Sequence, residues 1–146
     1  MTHTEQAFAY HHQGYNCCQS VVAAFSDLTG LSAQQSFDIG AGFGAGAGSG
    51  ELCGAIAGAV MTLGLATPVN TEDPVGSKRR TMALGKELQK RFSETFGALR
   101  CRELLQKKFQ PDDSTPAAKA MGLTEHCDIM IITAVELVEE ILAERG

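Results

Sequence analysis

Several patterns that would settle a function quickly are missing. No two cysteines stand in C-x-x-C spacing, which argues against a zinc ribbon or a thioredoxin motif, whose cysteines stand two residues apart. C-x-x-C-H is absent as well, so no covalent haem attachment is expected. There is no G-x-G-x-x-G and no G-x-x-x-x-G-K-[ST]. A glycine-first G-x-G-x-x-A can be read at Gly42, Gly44 and Ala47, but no clear strand runs into it, and nucleotide binding is not the reading adopted. The net charge is −5 and no basic run exceeds the short Lys78-Arg79-Arg80 cluster, so no nucleic-acid partner is expected. The run over 52–66 is short and glycine-rich for a membrane span and suits a buried core helix better. The N-terminus lacks a basic segment followed by an apolar core, so no signal peptide and a cytoplasmic location are expected.

What is present fits one ordinary domain over residues 1–146, with 44% hydrophobic and 20% charged residues and enough chain to bury a core. The organising stretch is 40–65, GAGFGAGAGSGELCGAIAGAVMTLGL. Glycine at every second position from Gly40 to Gly50 rules out regular helix or ordinary strand there and allows close backbone approach. Ser49 reads as an N-cap, with Glu51 and Leu52 in the first turn and Cys53 near the start of an apolar helix that ends before Pro68. Gly54 and Gly58, four apart, leave a smooth stripe against which another backbone or a bound group can pack.

The remainder reads as helix almost throughout. Thr4 caps a helix over 5–12, ended by Gly14. Asn16 caps a second over 17–28, with Val21, Val22, Phe25 and Leu28 at helical spacing, stopped by Gly30. Ser32 caps a short helix to Phe37. After the loop PVNTEDP comes an amphipathic helix over 75–96, with Met82, Leu84, Leu88 and Phe92 inward and Lys86, Lys90 and Arg91 outward. A helix over 99–109, the loop PDDSTP, and a last helix over 125–144 capped by Thr124 complete the chain. In that last helix Ile129, Ile132, Val135, Val138, Ile141 and Leu142 are apolar. The fold class is all-α: a single-domain bundle of five to seven helices, with a glycine-rich loop leading into a central buried helix.

Five cysteines are many for a chain of this kind and point to metal binding or redox chemistry. Cys17, Cys53, Cys101 and Cys127 each fall in the first turn of an expected helix. A helix N-terminus favours a thiolate over a thiol. If the four ends converge, they form a positive, sulfur-lined pocket suited to an anionic metal–thiolate cluster or a set of low-pKa redox thiols.

The runs Asn16-Cys17-Cys18-Gln19-Ser20-Val21, Cys53-Gly54-Ala55-Ile56-Ala57-Gly58 and Phe96-Gly97-Ala98-Leu99-Arg100-Cys101-Arg102-Glu103-Leu104, followed by Cys127, resemble the C-GCAxxG-C-C family, small bacterial and archaeal proteins described as redox-active. The resemblance spans nearly the whole chain in order, and the C-G-A-x-x-G element with its glycine approach is its most specific part. A similar module occurs in split-Soret cytochromes beside a haem-binding segment that is absent here. The resemblance implies Cys17, Cys53, Cys101 and Cys127 as the functional set, catalytic or metal- and cofactor-binding, with redox activity and an iron–sulfur cluster. It implies no particular substrate.

The other candidates have plainer readings. Cys18 sits about 100° around the helix from Cys17, and a vicinal disulfide would strain the peptide between them; it reads as a packed small residue. His11, His12 and His126 read as solvated or hydrogen-bonded, with His126 the strongest exception because it adjoins Cys127. Asn16 reads as a cap, Glu51 as an ordinary first-turn acid, and Lys78-Arg79-Arg80 as a solvated face. Two function classes follow. One is electron transfer or redox sensing through a cysteine-ligated iron–sulfur cluster, with a redox partner protein. The other is metal-free thiol–disulfide exchange, with a structural four-thiolate zinc site as a third, weaker option. The long apolar helices also suit a homodimer.

Overall fold

The computed structural model describes residues 1–107 and 115–145. Among them are nine α-helices: α1 (His3–His12), α2 (Cys17–Ala24), α3 (Ser26–Thr29), α4 (Ala33–Gly40), α5 (Gly54–Ala66), α6 (Pro74–Phe96), α7 (Cys101–Gln106), α8 (Pro116–Ala120) and α9 (His126–Arg145). Six of these have eight residues or more, and there is no strand among the described residues. The all-α class holds. A π-type turn, Gly46–Gly50, precedes α5.

Side-chain caps fix four of the helix starts, those of α1, α2, α4 and α6. Asn16 caps α2 in a reciprocal box: its side-chain oxygen accepts from the Gln19 amide at 2.9 Å, and Gln19 Oε1 accepts from the Asn16 amide at 2.8 Å. Ser32 and Gln35 repeat the device on α4, which runs three residues beyond the expected end at Phe37. The first helix begins earlier than expected, because Thr2 rather than Thr4 accepts from the Glu5 amide. The helix expected over 17–28 is two helices. It breaks at Phe25, and Leu28, one of the apolar positions at helical spacing, faces solvent. Gly30 then stops α3 in the left-handed conformation, as expected.

The core is built by α5 and α9 against α1, α2 and α6. In α9, Ile129, Ile132, Val135, Val138 and Ile141 are buried as expected, and so are Met130, Ile131 and Ala134. From Ile129 to Val135 the only polar residue is Thr133, whose hydroxyl donates back to Ile129 O at 2.8 Å, as suits a helix enclosed on every side. In α6, Leu88 and Phe92 are buried, but Met82 is exposed and Arg91 is half-buried, held by Glu87 at 3.0 Å, Glu140 at 3.6 Å and Glu144 at 2.7 Å. The smooth stripe on α5 is a contact with α2. A Cβ at Gly58 would stand 2.9 Å from the Cys18 carbonyl oxygen, and one at Gly54 3.3 Å from Cys17 Cβ. Of the helix expected over 99–109, α7 is the described part. Its expected end at Phe109 and most of the PDDSTP loop lie outside the described residues, and Pro116 instead opens the short α8.

Candidate functional site

Four elements converge at one end of the bundle. Cys17 is the first residue of α2, Cys53 the residue capping α5, Cys101 the first of α7 and Cys127 the second of α9. All four line one largely apolar cavity of about 150 Å³, together with Ala45, Gly54, Leu104, Leu105, His126 and Met130. Convergence of helix N-termini on one point turns unpaired backbone N–H groups toward it.

The positioning is local. The segments ahead of α5 and α7 pair as a single antiparallel bridge between Leu52 and Arg100. Cys53 N donates to Leu99 O at 2.9 Å and Cys101 N to Glu51 O at 2.6 Å, so these two cysteines are laid side by side. Glu51 clamps the bridge from outside, accepting from Arg100 at 2.8–3.1 Å and from Arg102. It is therefore not a first-turn helix acid, and Ser49 is not the cap. Ser49 donates to Gly46 O inside the π turn, and α5 starts at Gly54. The turn is tight: Ala45 and Ala47 both adopt left-handed backbone at φ 53° and 58°. Such angles cost a non-glycine residue roughly 1–2 kcal/mol, and Ala45 is itself on the cavity wall. Asn16 has a second task beyond capping, donating from Nδ2 to Gly40 O and Ala41 O at 3.1 Å, which ties the glycine approach to the start of α2.

The thiols do not share one protonation state. Cys17 donates its thiol proton toward the Cys127 sulfur, and this holds Cys17 protonated while drawing Cys127 down to about 7. The pair gives up one proton near neutrality and resists losing the second. Burial pushes Cys53 up to about 11, against the pull of the Ala55 and Ile56 amides, and also raises Cys101. A helix N-terminus does not by itself make each cysteine a ready thiolate: only Cys127 is lowered, and the cause is the Cys17 thiol, with His11 nearby, rather than the helix end. At Cys53 and Cys101 desolvation wins, because an isolated thiolate is poorly tolerated in an apolar cavity. No cysteine is in a disulfide.

Cys18 is fully buried away from this cavity, its sulfur 3.8 Å from Met61 Sδ, and burial raises its pKa to about 12. It packs as a small core residue, as read from the sequence. His126 does reach the cavity wall, where burial favours its neutral imidazole. His11 and His12 are hydrogen-bonded, as expected, but to a residue the sequence did not single out. Asp128, adjacent to Cys127, is buried and meets His11 Nδ1 at 2.6 Å and His12 Nε2 at 2.9 Å. A lone acid in the first turn of a helix is ordinary, and only the approach of α1 to α9 reveals the grouping. Lys78, Arg79 and Arg80 are exposed, as expected.

Fold and site together define an all-α protein with a four-cysteine pocket at converging helix N-termini. The family model described as "Putative redox-active protein (C_GCAxxG_C_C)" matches residues 15–141. The chain belongs to that redox-active family, and the match spans all four pocket cysteines. No curated protein and no solved structure gives a significant match. No helix among the described residues is long and apolar enough to cross a membrane.

Proposed function

We propose that Cys17, Cys53, Cys101 and Cys127 ligate an iron–sulfur cluster and that the protein transfers or senses electrons through it, exchanging them with a redox partner protein. The observation that carries this reading is the convergence of four thiols, one from each of four helix starts, on a single cavity with little polar surface. Four thiolates are the usual complement of such a cluster, which when bound supplies one-electron chemistry. Charge supports a metal. Fully deprotonating four sulfurs in this cavity is opposed by burial and by their mutual repulsion, so the four-thiolate state calls for bound cations. Spacing favours a cluster over one zinc ion. Around a single zinc the sulfurs would stand about 3.8 Å apart, given zinc–sulfur bonds of about 2.3 Å. Among the described residues, the only group of three His, Cys, Asp and Glu side chains whose donor atoms all lie within 4.8 Å of one another contains no cysteine.

One observation favours a second reading. A protonated Cys17 beside a lowered Cys127 is the arrangement of an exchanging dithiol, with Cys127 attacking and Cys17 resolving. Serine substitution separates the two. Under the cluster reading, Cys17→Ser, Cys53→Ser, Cys101→Ser and Cys127→Ser each remove the bound iron and the visible absorption, and Cys18→Ser leaves both. Under the dithiol reading, only Cys17→Ser and Cys127→Ser abolish disulfide formation, and no variant changes metal content.

A further inference from the structure

Beside the four-cysteine pocket stands a group that the reading above does not use. His11 and His12 occupy the last turn of α1, and Asp128 lies in the first turn of α9. One nitrogen of each histidine and the Asp128 carboxylate fall within 4.8 Å of one another. Asp128 is 4% exposed, yet each of its oxygens faces an imidazole nitrogen, Oδ1 toward His11 Nδ1 at 2.6 Å and Oδ2 toward His12 Nε2 at 2.9 Å. Consecutive helical residues normally point about 100° apart. Here the two rings stand 5.8 Å apart at 87°, and both reach the same carboxylate. Phe8 stacks on the His12 ring at 4.1 Å and fixes its plane.

A buried carboxylate needs a compensating positive charge. Among the described residues no lysine or arginine pairs with Asp128, and Glu125 adds a further negative charge close to His12. Either a protonated imidazole or a metal ion must supply the charge. Two neutral imidazole nitrogens and one carboxylate oxygen are the donor set that first-row divalent cations take when positions are left open for water. In a tetrahedral site the donors stand about 3.3–3.6 Å apart, given metal–ligand bonds of about 2.0–2.2 Å, so the present distances of 2.6 and 2.9 Å need to open by roughly 0.4–1 Å. His12 is 46% exposed, which gives an ion a route in. We infer that His11, His12 and Asp128 form a second metal site, separate from the cysteine pocket, for a divalent transition-metal ion such as Zn²⁺ or Fe²⁺. Binding displaces any proton shared between imidazole and carboxylate and ties α1 to α9 beside Cys127.

The test is anaerobic titration of the metal-stripped, reduced full-length protein with Co²⁺, read by absorption. Thiolate-bound cobalt carries sulfur-to-metal charge-transfer bands, whereas cobalt on nitrogen and oxygen shows only weak ligand-field bands. The expected result is one equivalent bound without sulfur bands. It should survive Cys53→Ser and Cys101→Ser and weaken about tenfold or more in His12→Gln and Asp128→Asn. Zn²⁺ should displace it. Asp128 is buried and its variant can misfold, so the half-exposed His12→Gln, checked by circular dichroism, decides alone if needed. No equivalent free of sulfur bands, or one that survives His12→Gln, would overturn the inference. The cluster reading fails by a different result, the absence of iron and sulfide, so the two fail separately.

Discussion

Two alanines introduced on the same face-bearing helix should act in opposite directions. Gly58 and Gly64 both lie in α5, so replacing either by alanine gains about 0.8–1 kcal/mol of helix propensity. Their surroundings differ. At Gly58 the new Cβ would stand 2.9 Å from the Cys18 carbonyl oxygen and 3.1 Å from Val21 Cβ. Both belong to α2, and a helical carbonyl cannot swing aside, so α2 and α5 must separate. Overpacking of this kind costs roughly 1–3 kcal/mol, which leaves Gly58→Ala destabilised by about 1 kcal/mol. At Gly64 the Cβ meets only Thr81 Cγ2 at 3.6 Å, an ordinary contact, so Gly64→Ala keeps its gain of about 1 kcal/mol. For a chain of this size 1 kcal/mol moves the midpoint by about 4 °C, which places the two variants about 8 °C apart. Thermal unfolding of the reduced, metal-free proteins by far-UV circular dichroism reads this directly, without the stabilisation a ligand adds. Gly58→Ala as stable as Gly64→Ala would refute the claim that the glycine stripe exists for contact with α2.

Three further outcomes are expected. Ala47 is exposed with φ 58°, so Ala47→Gly should raise stability by about 1 kcal/mol in a denaturant titration; a loss would show that the turn is not strained. In the metal-free protein Cys127 is the thiol with the lowered pKa, about 7, so its thiolate is present above that pH and lost below it. Its alkylation by iodoacetamide should be flat above about pH 7 and fall about tenfold per unit beneath, with mass spectrometry locating the label; a break near pH 9 would contradict the Cys17–Cys127 pairing. Finally, Cys17→Ala should raise the Cys127 break toward the ordinary thiol range, because it removes the hydrogen bond that favours the thiolate.

Much of this was legible along the chain because it rests on local rules. Asn16, Ser32 and Gly30 mark helix ends through side-chain caps and left-handed backbone, and they do so in the fold. The Gly54 and Gly58 stripe and the burial of Cys18 were likewise readable from helical geometry. What failed depended on the third dimension. Ser49 looked like a cap because a serine ahead of an apolar run usually is one, but the π turn uses its hydroxyl, and the bridge to Arg100 moves the start of α5 to Gly54. Met82 and Leu28 follow the apolar period yet lie where no neighbouring element covers them. The thiol states misled because the field of a helix end is a local property and burial is not: burial raises both Cys53 and Cys101, in a cavity that residues of several elements line together. Asp128 stayed hidden for the same reason, its histidines lying more than a hundred residues away.

The most direct measurement is an iron and acid-labile sulfide count with a visible spectrum on protein purified without oxygen. A brown protein with iron and sulfide is expected, both lost in each of Cys17→Ser, Cys53→Ser, Cys101→Ser and Cys127→Ser. A colourless protein without iron, carrying a reducible Cys17–Cys127 disulfide after mild oxidation, would contradict the cluster and leave the dithiol reading in its place.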